Sequence, residues 1–131
     1  MAAAAREFTS HYPFVLTDAT PFQIDLRSSI RAIVEELRAG MAQALIAARF
    51  HNTVAACLLA SCQRVRKERG LDSVALSGGV FQNRRLLETL HHLLHTAGFR
   101  VLLNRLVPPN DGGLCFGQAA VAAARLRAGV V

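Results

Sequence analysis

Two glycine-centred stretches hold most of the chemistry available to this sequence. Ser77-Gly78-Gly79-Val80-Phe81-Gln82-Asn83 follows the apolar run Val74-Ala75-Leu76. Pro108-Pro109-Asn110-Asp111-Gly112-Gly113 comes after a second run, Phe99 to Leu103. Paired glycines let the backbone take positive φ and come close to a ligand, because no Cβ blocks the approach. A helix opening after such a loop adds unpaired N–H groups and the positive end of its dipole, which together attract phosphate. The chemistry implied is anion binding in a crevice.

Each residue also has a plainer reading. Gly78 and Gly79 can simply form a tight turn, and their pattern is neither the dinucleotide fingerprint nor a P-loop. Asn83 either hydrogen-bonds a ligand or caps the next helix. Asp111 is either an N-cap carboxylate or a carboxylate at a phosphate crevice that binds a metal directly or through water. Gly112 and Gly113 lend weight to the second, since a simple cap does not need two glycines beside it, but the residues alone leave the two readings about equal. His91 and His95 stand i, i+4, a spacing that can hold a metal, but they fall on the side of their helix away from its leucine stripe. They are read as solvated. His51, after Phe50 in an apolar helix, reads as a satisfied core histidine. No serine or cysteine nucleophile has a paired base, so no catalytic residue is assigned.

The elements that must position these loops follow from the apolar pattern. The first eleven residues look like a loose leader, and Tyr12 to Leu16 reads as a short edge strand containing Pro13. Asp25 is the expected N-cap of a helix to Arg38, with Ile30, Ile33, Val34 and Leu37 on one face and Gly40 closing it. A long helical pattern runs from Met41 to about Lys67 and stops at Gly70. Next comes a βαβα series: Val74 to Leu76, a helix with Leu86, Leu87, Leu90, Leu93, Leu94 and Ala97 at helical spacing, Phe99 to Leu103, and an alanine-rich helix from Leu114 to Leu126. Residues 127–131 form a tail. Strand, helix, strand in one sheet implies a parallel crossover. Ligands of such sheets sit beyond the carboxyl ends of the strands, where both loops fall.

At 131 residues the chain is one domain or part of one. Its 52% apolar and 18% charged composition implies a packed α/β body, with some apolar surface expecting a partner. No apolar run approaches a membrane span of about 20 residues and no signal peptide is evident, so a cytoplasmic location and no membrane partner are expected. Cys57, Cys62 and Cys115 lack zinc or redox spacing and read as small buried residues. The net charge of +6 comes mostly from arginine, and one cluster, Arg64-Val65-Arg66-Lys67-Glu68-Arg69, sits at the end of a helix. This cluster reads as a solvated helix terminus, because no interleaved aromatics are present to stack bases. Nucleic acid is therefore not the expected partner.

The two loops taken together, with Gly98-Phe99-Arg100-Val101 between them and Gly117-Gln118-Ala119 after them, resemble the C-terminal part of the HypF family, the hydrogenase maturation carbamoyltransferases. Tyr12-Pro13-Phe14 and Ala47-Ala48-Arg49-Phe50-His51-Asn52-Thr53 extend the resemblance over most of the chain. It implies the second lobe of an actin-like ATPase (ASKHA) fold, spanning residues 12–126, related to the tRNA threonylcarbamoyl transferases. It also implies chemistry on carbamoyl phosphate and ATP through carbamoyl-adenylate, with the carbamoyl group passing to the C-terminal cysteine of a HypE-like acceptor. There it becomes the cyanide ligand of a nickel–iron centre. On this resemblance Ser77, Gly78, Gly79, Asn83, Gly112 and Gly113 contact the nucleotide phosphates, and Asp111 is a ligand to a divalent metal (Mg, Zn or Fe).

The departures are as informative. Nothing here matches the family's histidine metal-ligand pair, which His91 and His95 do not replace. The acylphosphatase-like, zinc-finger and carbamoyl-adenylate-forming domains are absent as well. The expectation is a lobe that is incompetent alone, from a truncated gene or a split subunit, and whose partners include the missing lobe and domains. The competing readings are a non-catalytic interaction module of the same fold, a threonylcarbamoyl transferase-like lobe, and a basic nucleic-acid binder. Phe81-Gln82 and the double proline favour the hydrogenase branch.

Overall fold

The computed structural model of the chain describes residues 10–130. Two short strands, β1 (Val15–Leu16) and β2 (Ile24–Asp25), pair antiparallel around a turn. Helices α1 (Arg27–Arg38) and α2 (Gln43–Arg69) follow. The second half runs β3 (Ser73–Leu76), α3 (Arg84–Thr96), β4 (Arg100–Leu103) and α4 (Leu114–Arg127). Strands β3 and β4 pair in parallel, with Val74 opposite Val101 and Leu76 opposite Leu103. The expected parallel βαβα order is therefore present, as a two-stranded sheet.

The core lies where α2 and α3 meet this sheet. Leu86, Leu90 and Leu94 recur every four residues on α3, which puts them on one face. They close with Ala55, Leu76 and Phe99 into one buried cluster. Asn83 opens α3 by accepting the Leu86 N–H on its side-chain oxygen, a standard N-cap bond. Gly70, at φ +69, ends α2 in the left-handed conformation that glycine adopts without penalty.

The start of the fold differs from the sequence expectation. Tyr12 is outside β1, because its N–H donates to the Thr53 hydroxyl on α2 rather than to a neighbouring strand. Ser10 and His11, expected in a loose leader, are not free. The Ser10 carbonyl accepts from Asn52, and its hydroxyl accepts from Arg49. The rest of that segment lies outside the described residues. Helix α1 begins at Arg27, with Leu26 in the cap position and without a side-chain cap. Asp25 sits one residue earlier, in β2, and its carboxylate still takes the Arg27 N–H and guanidinium. That pairing holds the Asp25 carboxyl down at about 2.

Three further expectations are corrected. By length and composition alone, α2 is long and apolar enough to cross a membrane. It is also the helix against which α1 and α3 pack. Cys115 is exposed, whereas Cys57 is buried and Cys62 half-buried. The arginine cluster is only partly solvated. Arg64 donates to the Thr17 carbonyl and stacks over Phe22, and Arg66 donates to the Ala97 carbonyl with its guanidinium 4.0 Å from the Phe99 ring centre. Both thereby join α2 to distant segments, using the donors and flat face that suit guanidinium to such corners.

Candidate functional site

The two glycine loops meet. The Gly78 N–H donates to the Pro109 carbonyl at 2.6 Å, so the exit of β3 is tied to the loop after β4. Gly78 holds φ +111, ψ 157, a region that essentially only glycine enters. Residues Gly79–Gln82 then form one short 3₁₀ turn, closed by the Asn83 N–H on the Val80 carbonyl. In the second loop Asn110 accepts the Gly112 N–H on its side chain, and residues Asp111–Gly113 make a 3₁₀ turn leading into α4.

The cap position before that turn belongs to Asn110, and the Asp111 carboxylate caps nothing. The residue is exposed; its backbone carbonyl accepts the Leu114 N–H, but the Asp111 side chain makes no hydrogen bond or ion pair among the described residues. Gly113 is required by close packing, since a Cβ there would stand 2.4 Å from the Pro108 carbonyl oxygen. A Cβ on Gly79 would meet nothing within 4 Å and its φ is not positive, so no feature of the chain itself demands glycine at that position.

A groove of about 1080 Å³ opens from these loops along α4. Ser77, Gly78, Asp111 and Gly113 line one end, and Phe116, Val121 and Leu126 line the rest. Gly79, Gly112 and Asn83 stand outside its lining. Asn83 is instead engaged at both ends of its side chain, by the Leu86 N–H and by His51, whose Nε2 lies 2.8 Å from the Asn83 amide nitrogen. Asn83 is thus a cap, one of the two roles its sequence position allowed. His51 is half-buried, but it bonds this loop and the Ala47 carbonyl rather than core atoms. The sequence held no signal for that contact, which joins residues 32 apart. Arg125 also lines the groove and was missed. It was findable, because Gln118, Val121 and Arg125 recur at helical spacing and share a face.

No three His, Cys, Asp or Glu side chains come together among the described residues. His91 and His95 stack with ring centres 6.3 Å apart on α3, with no third ligand. Hard divalent cations take six or more oxygen ligands. Asp111 could supply one of them, but the described residues do not gather a set that would complete such a site.

Comparison with known proteins gives a consistent result. Residues 1–118 match the family model described as "Carbamoyltransferase, Kae1-like Domain, second subdomain". The chain is 38% identical over 109 residues to carbamoyltransferase HypF of Synechocystis, covering 82% of this chain and 13% of that protein. A tRNA N6-adenosine threonylcarbamoyltransferase of Parasynechococcus marenigrum is 32% identical over 96 residues, covering 73% of this chain and 27% of that one. A crystal structure of full-length HypF in its phosphate- and nucleotide-bound form superposes with a TM-score of 0.86 at 37% identity, over 95% of this chain and 17% of that chain. The chain therefore spans about an eighth of the length of the HypF relatives it matches. With both halves of the fold and both loops accounted for, the chain belongs to the HypF carbamoyltransferase family, as the second, C-terminal subdomain of its Kae1-like domain.

Proposed function

We propose that this chain is the second lobe of an actin-like ATPase (ASKHA) carbamoyltransferase domain and supplies one wall of its nucleotide crevice. Ser77, Gly78, Gly79, Gly112 and Gly113 bring the backbone close to the phosphates, with the N–H groups of Gly78, Gly112 and Gly113 engaged in holding the loops themselves; Asn83 holds the end of the first loop, and Asp111 gives one oxygen ligand to a divalent metal. The observation that carries this reading is the Gly78–Pro109 hydrogen bond, which joins two glycine loops over one groove with the unpaired Asp111 carboxylate at its edge. The phosphate- and nucleotide-bound state of the full-length HypF relative supports the same ligand class.

The activity proposed for the assembled protein is carbamoyl transfer from carbamoyl phosphate, with ATP and through carbamoyl-adenylate, to the C-terminal cysteine of a HypE-like acceptor in the cytoplasm. The open side of the groove is proposed to be covered by the first subdomain, which the family description implies. Alone, the chain is expected to turn nothing over. Reconstitution tests this: the chain is mixed with a HypF relative truncated before its matching segment, and carbamoyl phosphate-dependent ATP cleavage is measured. Activity only in the mixture, lost with Asp111→Ala, is the expected result. Cleavage by the chain alone, or a mixture indifferent to Asp111→Ala, contradicts the reading.

A further inference from the structure

We propose that His51 is a positioning residue for the Ser77–Asn83 loop, holding its far end through Asn83. This inference deepens the reading of that loop as a phosphate contact and rests on it for its functional meaning. His51 Nδ1 lies 2.7 Å from the Ala47 carbonyl oxygen, one turn earlier on α2. A carbonyl only accepts, so Nδ1 carries the proton and, in the neutral ring, Nε2 must accept. The group facing Nε2 is the Asn83 amide nitrogen, which donates to it at 2.8 Å.

The orientation of the Asn83 amide is fixed from its other side as well. Its oxygen accepts the Leu86 N–H at 3.1 Å, so a flip would set two donors face to face at one end and two acceptors at the other. Asn83 also closes the 3₁₀ turn with its own N–H on the Val80 carbonyl. The line from Ala47 through His51 to Asn83 therefore ties the central helix to the exit of the glycine loop. The Gly78–Pro109 bond holds its entrance. The exposed backbone between them, including Gly79, which the chain does not require to be glycine, is clamped at both ends.

The test is NMR on the isotopically labelled full chain, with no ligand added. Imidazole nitrogen correlations should show neutral His51 protonated at Nδ1, and Asn83→Ala should shift its Nε2 resonance. His51→Leu should displace the Gly78, Gly79 and Leu86 amides. His51→Gln, whose side-chain oxygen can accept from Asn83, should return them towards their original positions. An Nε2-protonated ring, an Nε2 resonance unmoved by Asn83→Ala, or loop amides unmoved in a folded His51→Leu chain would each overturn the proposal. Where the leucine variant does not fold, the wild-type ring and the Asn83→Ala shift decide. Because no nucleotide enters, these outcomes stand apart from whether the loop takes phosphate, which a separate ATP titration answers.

Discussion

Gly78, Gly79 and Gly113 are three glycines with three different demands. At Gly78 the backbone itself excludes other residues, so Gly78→Ala should cost about 1–3 kcal/mol in chemical denaturation. At Gly113 the obstacle is the Pro108 carbonyl, 2.4 Å from an added Cβ. A backbone atom there cannot yield without moving the loop, and Gly113→Ala should cost about 1–3 kcal/mol. Gly79 meets neither condition, and Gly79→Ala should leave stability within about 0.5 kcal/mol while weakening nucleotide affinity in the reconstituted enzyme. Equal loss of stability at all three positions would mean that the first loop is only a turn. Tyr12 makes a separate statement. Burial, and then the hydrogen bond its hydroxyl donates to Glu36, push the phenol up from 10.0 to about 12. A raised value means that the folded chain keeps a proton the unfolded chain releases. The stabilisation is whole below about pH 10 and declines as the pH climbs towards 12. Unfolding followed across that window should show the decline in the wild type and a flatter profile in Tyr12→Phe.

The element scale separates what patterning conveys from what it does not. The α3 stripe, the Gly70 and Gly98 stops and both strands of the parallel pair were legible because hydrophobic period and glycine punctuation are local signals. Leu90, 1% exposed, lies at the centre of that stripe, and Leu90→Ala should cost about 2–5 kcal/mol in a denaturant melt. The polar turn of α2 was not legible. Arg49 pairs with Glu36 on α1, His51 with Asn83, Asn52 with the Ser10 carbonyl and Thr53 with the Tyr12 N–H. One and a half helical turns thus fasten α1, α3 and the incoming chain. Each bond joins residues far apart in sequence, and side-chain type does not announce such partners. The same blindness misplaced Tyr12 in a strand and left Arg64 and Arg66 as solvent-facing charge. Both loops of the candidate site were legible, since they stand at strand ends between glycines. Their joining through Gly78 and Pro109 was visible only in three dimensions.

At the scale of the whole molecule, the two halves of the fold differ in how well they are covered. The α2–α3–sheet body encloses a core, but α4 buries none of its residues, and Phe116 and Leu126 are 63% and 68% exposed. Isolated apolar residues on a surface are ordinary, but Phe116, Val121 and Leu126 all line the groove, and apolar side chains gathered at one groove suit a covering surface. Hydrogen exchange should therefore find α4 amides opening well ahead of those of α3, and addition of the complementary HypF fragment should protect α4 selectively. Uniform protection across both helices in the isolated chain would contradict this. The central claim, that the two glycine loops form one phosphate half-site, is tested most directly by titrating ATP with Mg²⁺ into the labelled chain and following glycine amides by NMR. The account predicts that the Gly78, Gly79, Gly112 and Gly113 signals move together, and that Asp111→Ala weakens the response. Shifts confined to the arginines at the end of α2, or a folded chain with both loops unmoved, would contradict it.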